Sequence, residues 1–248
     1  MKRRAILIGY PGERGDQDYC EGVLKDMTNM GRFLISPQGG MWYPNEIASL
    51  TSPLKEVVRR AIAELGRYDY SLILFSGHGY HSQARGSTTI VSLNKDEEMD
   101  SVEFRTNRSS RHTLMLDCCR KEGESTFFGF KESVKIAKQI DGDACRRYYD
   151  DWVMKCEPMM IVMNSCSIGE YSYDDANRGG YYTHSLIDVA NEWSRSTSLQ
   201  YGQHEILSNV TAHVEAFQRV TQKSGGSQHP SIEKPKSIGN VLPMAVSA

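Results

Sequence analysis

Two short motifs carry the residues of this chain that are best suited to covalent chemistry. The first is Ser76-Gly77-His78-Gly79, and the second is Asp117-Cys118-Cys119-Arg120. A cysteine becomes a good nucleophile when a nearby base or positive charge favours its thiolate. Histidine supplies such a base near neutral pH. The two motifs therefore predict nucleophilic catalysis by a thiol, provided that the fold brings them together.

Each motif follows an apolar run that predicts a buried strand. Residues 70–75 precede the first motif, and residues 112–116 precede the second. Because open α/β sheets place reactive groups at the carboxyl ends of their strands, we expect both motifs at one edge of one sheet. Glycines beside His78 would let a substrate main chain approach closely. The N–H groups of Gly79 and Cys119 would then be the donors that hold an oxyanion.

The remaining chain alternates between strand-like and helix-like patterns. Apolar periodicity predicts further strands at residues 5–10, 41–43, 88–93 and 159–163, and helices at residues 20–34, 53–65, 183–193 and 210–222. Between these elements, residues 82–111 are polar and typical of loops outside the 88–93 patch. The alternation indicates a mostly parallel sheet covered by helices on both faces.

A length of 248 residues fits one large domain or two small ones, and we interpret residues 1–248 as a single domain. Within it, the highly charged residues 120–157 are interpreted as an inserted, partly helical excursion. Residues 223–248 are interpreted as a tail in which residues 241–246 return as an edge strand. The core and the candidate site are therefore expected to be built from the elements outside these two segments.

Charge and cysteine usage narrow the class of protein. The formal net charge of −2 gives no basic excess that would favour nucleic acid. No apolar stretch approaches the length of a membrane span, and the run at residues 5–8 is too short for a signal peptide. The six cysteines lack C-x-x-C spacing. These features predict a cytoplasmic protein with reduced thiols and no nucleic-acid or membrane partner.

The order strand, Ser-Gly-His-Gly, strand, Asp-x-Cys resembles the caspase-like cysteine peptidases, and most closely their metacaspase and bacterial orthocaspase branch. Residues 22–34 resemble the first helix of that family, and residues 164–186 resemble its late strand and the helix that follows. The forty-one positions from His78 to Cys119 are close to the roughly 50 found in caspases. The resemblance implies a three-layer αβα sandwich with a central, mostly parallel six-stranded sheet.

The resemblance also implies a role for each motif residue. Cys119 matches the nucleophile and His78 matches the catalytic histidine. The pocket for the P1 side chain, which precedes the scissile bond, would be formed by Asp26, Ser76 and Asp117. Because two carboxylates in one pocket favour a cation, the implied activity is that of an endopeptidase cleaving proteins or peptides after Arg or Lys.

The chain departs from the family after the nucleophile, where bulky charged residues 120–122 replace small ones. Cys118 also takes a position that a small residue usually holds, and we expect it to be a packed neighbour. Basic residues close to an acidic pocket suggest self-cleavage, with candidate sites at Lys131, Arg146 and Arg147. Excursion 120–157 is accordingly expected to gate the site.

Two functions of other classes stay open at this point. The charged loop after Cys119 is compatible with a catalytically weak caspase-like module that acts by binding, as an adaptor. The reactive cysteine is also compatible with a non-proteolytic thiol enzyme such as an acyltransferase. Family context suggests regulated cell death or defence as the setting, and leaves the natural substrate, the activator and the oligomeric state open.

No cofactor or metal is expected. The His78 and His81 pair has a spacing seen in metal sites, but no nearby cysteine or carboxylate completes a zinc site. The acidic residues between positions 141 and 151 are more typical of a solvated face, with calcium activation, as in some metacaspases, as the alternative.

Overall fold

The computed structural model describes residues 1–122, 141–197, 203–236 and 239–247. Candidate Lys131 and much of the predicted excursion lie outside the described residues. The helices in the described part are α1 Glu21–Ile35, α2 Lys55–Ala63, α3 Gly142–Lys155, α4 Tyr181–Ser196 and α5 Asn209–Lys223. The strands there are β1 Arg3–Tyr10, β2 Ile47–Thr51, β3 Tyr70–Gly77, β4 Gly79–Ser82, β5 Thr88–Ser92, β6 Glu98–Asp100, β7 Arg111–Asp117, β8 Met159–Asn164, β9 Asp174–Asp175, β10 Gly179–Gly180, β11 Ile206–Ser208, β12 Ser231–Glu233 and β13 Pro243–Val246.

Six strands form the central sheet in the order β12-β8-β7-β3-β1-β2. Five of them run parallel, and β12 pairs antiparallel with β8 at one edge. This confirms the predicted fold class, a mostly parallel six-stranded sheet with helices around it. None of the helices in the described part of the chain is long and apolar enough to cross a membrane.

Alternate side chains of the inner strands enter two separate cores, as the period of two in a strand requires. Leu7 and Leu74 face the larger core, where they pack with α1, α3, α4 and α5. Ile8 and Phe75 face the other core, which is closed by α2 and the small antiparallel sheet β4-β5-β6. The central strands are therefore buried on both faces, which explains their continuous apolar runs.

One local prediction is wrong and two are confirmed only in part. Residues 41–43 form no strand, and Trp42 instead packs in the larger core, while the half-exposed β2 follows at Ile47–Thr51. Within residues 82–111, β5 confirms the strand predicted at 88–93, but the additional strand β6 was not predicted. The tail does form a strand, β13, but this strand pairs with β11 outside the central sheet, and β12 occupies the sheet edge.

Candidate active site

The two motifs meet at the carboxyl edge of the central sheet. β3 and β7 are parallel neighbours, and their register places Ser76 opposite Asp117. The chain therefore leaves both strands at the same level, so that His78 follows one strand end and Cys119 follows the next. This is the edge at which open α/β sheets bind their ligands.

His78 lies between β3 and β4 in a turn that needs glycine on its amino-terminal side. Gly77 has a φ of 150°, and a Cβ atom there would overlap the Tyr10 carbonyl oxygen. The imidazole is partly exposed and packs edge-on against the Tyr10 ring. Its Nε2 atom lies 3.7 Å from the Cys20 sulfur, a contact that the sequence analysis missed.

Cys119 is almost completely buried, with 1% of its surface exposed. The main-chain N–H of Ser172 donates a 3.3 Å hydrogen bond to its sulfur. Burial raises the pKa of Cys20, and the charges of Asp174 and Cys119 raise it further. Cys20 is thus a thiol that stays protonated and contacts His78.

Gly79 is buried, and its N–H group is directed away from the neighbouring strand. It pairs with Val91, and Ser92, one residue further along β5, donates its N–H to the His78 carbonyl. Because hydrogen-bonded pairs alternate in an antiparallel ladder, the N–H of Gly79 points away from β5. A Cβ at Gly79 would lie 2.9 Å from the Cys118 sulfur, so this position tolerates only glycine.

Cys118 packs where the sequence analysis expected a structural neighbour. It is fully buried in the smaller core, and burial raises the pKa of its thiol. Its main-chain N–H donates to the Ser165 hydroxyl. Cys118 therefore presents no thiolate to the site and supports the loop that carries Cys119.

The three residues predicted for the P1 pocket converge. Asp26 comes from α1, Ser76 from β3 and Asp117 from β7. The Ser76 hydroxyl donates a 2.6 Å hydrogen bond to Asp26 Oδ2, and the Gly180 N–H donates to Asp26 Oδ1 at 2.9 Å. Thr183 donates to Asp117 Oδ2 from its N–H at 3.0 Å and from its hydroxyl at 2.6 Å. All three predicted residues are buried.

Gly180 separates the two carboxylates. A Cβ atom there would overlap Asp117 Oδ2 and lie 3.0 Å from Asp26 Oδ2. Its φ of −54° is available to any residue, so the requirement for glycine comes from the space between the two side chains. Only the hydrogen atom of a glycine fits between the Asp26 and Asp117 carboxylates.

Asp174 adds a third carboxylate that the sequence analysis missed. Its Oδ2 atom accepts the N–H of Gly22 at the start of α1, at 3.1 Å. The pKa of Asp174 is raised to about 6, chiefly by burial and also by the charges of Asp117 and Asp175, against the opposing effect of the Gly22 N–H. Burial and Asp117 likewise raise the pKa of Asp26 well above its ordinary value. Such a cluster either retains protons or attracts a cation.

Arg120 does not enter this cluster. Its guanidinium donates to Thr89 Oγ1 at 3.1 Å, to the Cys166 carbonyl at 3.2 Å and to the Ser231 hydroxyl at 3.3 Å. These partners belong to β5, to the loop after β8 and to β12. The bulky residue after Cys119 thus joins three parts of the fold.

The structure places two candidate self-cleavage sites, Arg146 and Arg147, in α3 and away from the site. Arg146 lies inside α3, where its guanidinium donates to both oxygens of Glu46, and the neighbouring Arg147 is exposed. Of the acidic residues near this helix, Asp141 caps α3 and Asp150 pairs with Arg3. Among the described residues, no group of three or more histidine, cysteine or acidic side chains is arranged to hold a metal ion.

Comparison with known proteins gives a family and a fold. A family model described as the caspase domain matches residues 2–240. No curated protein matches the chain. Among solved structures, the crystal structure of caspase-1 from Spodoptera frugiperda has a TM-score of 0.57 and 11% sequence identity, covering 94% of this chain and 88% of that chain. At this identity the structural match shows a shared fold and no more.

Proposed function

The chain belongs to the caspase-domain family of cysteine peptidases, and from that membership we propose that it is an endopeptidase which cleaves after Arg or Lys. Proteins or peptides are the substrates that a peptidase domain implies. The proposed nucleophile is Cys119 and the proposed base is His78. A cytoplasmic location and a role in regulated cell death or defence belong to the same proposal.

The proposed reaction follows the two-step course of thiol peptidases. His78 takes the proton of the Cys119 thiol, and the sulfur bonds to the scissile carbonyl carbon while the N–H groups of Gly79 and Cys119 hold the oxyanion. The C–N bond then breaks, and His78 delivers a proton to the departing amine. Water activated by His78 finally hydrolyses the thioester, which releases the acid and restores the cysteine.

The observation that carries the P1 preference is the pair of buried carboxylates on either side of Gly180. Buried charges without a cation are costly, which is why the pKa of Asp26 is raised. An arginine or lysine side chain would offset that cost and add charge-assisted hydrogen bonds. An acidic P1 side chain would instead add a further negative charge to the cluster.

A binding module with little turnover is the second candidate, and the burial of Cys119 favours it. With only 1% of the Cys119 residue exposed, its sulfur cannot meet a substrate carbonyl until the segment carrying Ser172 moves. A peptidase must therefore open this segment, whereas an adaptor would keep it closed. Reactivity of the cysteine toward a substrate-like probe distinguishes the two.

The test uses affinity labels that require both the pocket and the nucleophile. We expect a peptidyl-arginine chloromethyl ketone to alkylate Cys119, with the adduct located by peptide mass spectrometry. The peptidyl-aspartate analogue, matched in all other positions, is the control and should react far more slowly. Equal labelling by both reagents would refute the basic P1 preference, and absence of labelling at Cys119 by either would favour the binding module.

A further inference from the structure

Ser172 contacts both the proposed nucleophile and the proposed P1 pocket. Its main-chain N–H donates to the Cys119 sulfur at 3.3 Å, and its hydroxyl donates to Asp117 Oδ1 at 2.7 Å. One buried residue thus holds both the proposed nucleophile and a proposed P1 carboxylate. We propose that Ser172 is a positioning residue that couples occupancy of the Asp117 carboxylate to the state of the Cys119 sulfur. This inference rests on the proposed function.

The side chain of Gln228 fixes the orientation of Ser172 from the other side. Its Nε2 donates to the Ser172 hydroxyl at 3.2 Å and to the Ser165 carbonyl at 2.8 Å, and its Oε1 accepts the Tyr173 N–H at 3.1 Å. Gln228 itself has no exposed surface. Since the Ser172 hydroxyl accepts from Gln228, its proton is directed at Asp117.

The coupling follows from competition for one carboxylate. An N–H donor directed at sulfur stabilises the thiolate, because the charged form is the better acceptor. A guanidinium or ammonium bound at Asp117 competes with the Ser172 hydroxyl for Oδ1. When that hydrogen bond weakens, the Ser172 amide shifts relative to the sulfur. A bound P1 cation thereby changes the thiolate population through Ser172.

The first experiment measures the pH profile of Cys119 alkylation by iodoacetamide, followed by the mass of the peptide that contains Cys119. Ser172→Ala should move the midpoint upward by about 0.5–1 pH unit, because the amide loses the tether that aims it at sulfur. Ser172→Thr keeps the hydroxyl and should restore the wild-type midpoint. An unchanged midpoint in Ser172→Ala would overturn the positioning role.

Ser165→Ala is the matched control for a lost buried hydroxyl. The Ser165 hydroxyl accepts the N–H of Cys118 and donates to its carbonyl, so it contacts the neighbouring residue rather than the sulfur of Cys119. We expect its alkylation midpoint to equal that of the wild type. A midpoint shift as large as that of Ser172→Ala would show that losing any buried hydroxyl near Cys119 has the same effect, and would also overturn the proposal.

The second experiment adds benzamidine as an amidinium that mimics the arginine side chain. In the wild type it should shift the alkylation midpoint, and in Ser172→Ala that shift should be at least halved. An equal shift in both proteins would indicate direct attraction between amidinium and thiolate, and would refute the coupling. If benzamidine fails to raise the wild-type melting temperature, the basic P1 preference fails, while the first experiment still decides the role of Ser172.

Discussion

The Ser76 hydroxyl donates a 2.6 Å hydrogen bond to Asp26, although 50 positions separate the two residues in the chain. Ser76 stands at the carboxyl end of β3, and Asp26 lies one turn inside α1. The hydrogen bond is possible because α1 packs across the sheet edge where β3 ends. It ties a helix acid to the strand that leads into His78, and so joins the proposed P1 pocket to the proposed base.

Replacing Gly180 tests the geometry of the acidic pocket. In Gly180→Ala the new methyl group overlaps the Asp117 carboxylate. We therefore expect the free energy of unfolding to fall by about 1–3 kcal/mol. Activity toward basic P1 peptides should fall as well. Gly31→Ala in α1 is the control, since its Cβ has no neighbour nearer than Leu7 Cδ1 at 3.6 Å.

Chemical denaturation and peptide hydrolysis measure the two effects of these glycine substitutions. The free energy of unfolding of Gly31→Ala should exceed that of the wild type by up to about 1 kcal/mol, because alanine is favoured over glycine in a helix interior. Equal stability and activity in both variants would show that the space between the carboxylates is not restrictive.

Asp174 should make folding stability fall as the pH rises from about 4 to 6. Its pKa is raised from 3.8 to about 6, so in this range the unfolded chain has released a proton that the folded protein retains. Asp174→Asn removes this cost and can still accept the Gly22 N–H. Relative to the wild type, we expect the variant to gain about 1–3 kcal/mol above pH 6 and almost nothing at pH 4.

Urea unfolding at pH 4 and at pH 7.5 measures this difference for Asp174→Asn and for Asp16→Asn. Asp16 is exposed, and its substitution should change the unfolding free energy by less than about 0.5 kcal/mol at either pH. A gain for Asp174→Asn that is the same at both pH values would contradict the raised pKa.

Arg3 should be essential for stability, whereas its neighbour Arg4 should not be. The Arg3 side chain is buried, donates to Asp150 at 2.7 Å and to the carbonyls of Gly40 and Met41, and lies 4.5 Å from the Trp42 ring centroid. Arg3→Met leaves these acceptors unpaired, which costs about 3 kcal/mol or more.

The matched substitution Arg4→Met removes a hydrogen bond to Asn45 at the surface and should cost less than about 1 kcal/mol. Guanidinium unfolding of both variants makes the comparison. Similar losses in the two proteins would show that the Arg3 network contributes little.

We expect no self-cleavage of the peptide bond after Arg146. A peptidase binds its substrate as an extended strand, but Arg146 lies within α3 and is paired with Glu46. We expect intact mass analysis of the active protein to show no fragment ending at Arg146, with Cys119→Ala as the uncleaved reference. A fragment ending at Arg146 that is absent from Cys119→Ala would contradict this expectation.

The sequence predicted best the elements that are buried on both faces. β1, β3, β7 and β8 have continuous apolar runs, and turn residues follow each run, so pattern alone located them. β2 and β12 were missed because they lie at the sheet edges, where partial exposure gives weak periodicity. The local sequence pattern therefore identified the central strands of the sheet better than its edge strands.

For the site, the sequence identified residues that stand in recognisable motifs. It did not identify Ser172, Asp174 or Gln228, although Ser172 bonds to Asp117, Gln228 bonds to Ser172, and the charge of Asp117 raises the pKa of Asp174. Their partners are distant along the chain, with 55 positions between Ser172 and Asp117, so no local spacing signals them. The Cys20–His78 contact was missed for the same reason, because it depends on how the loop before α1 folds back onto β3.

The central claim is tested most directly by the hydrolysis of fluorogenic peptides that differ only at P1, using the wild type, Cys119→Ala and His78→Ala. The expected result is a wild-type kcat/KM at least about 100-fold higher for Arg and Lys than for neutral or acidic P1 residues, with no turnover by either variant. A preference for aspartate at P1, or full activity in Cys119→Ala, would contradict it.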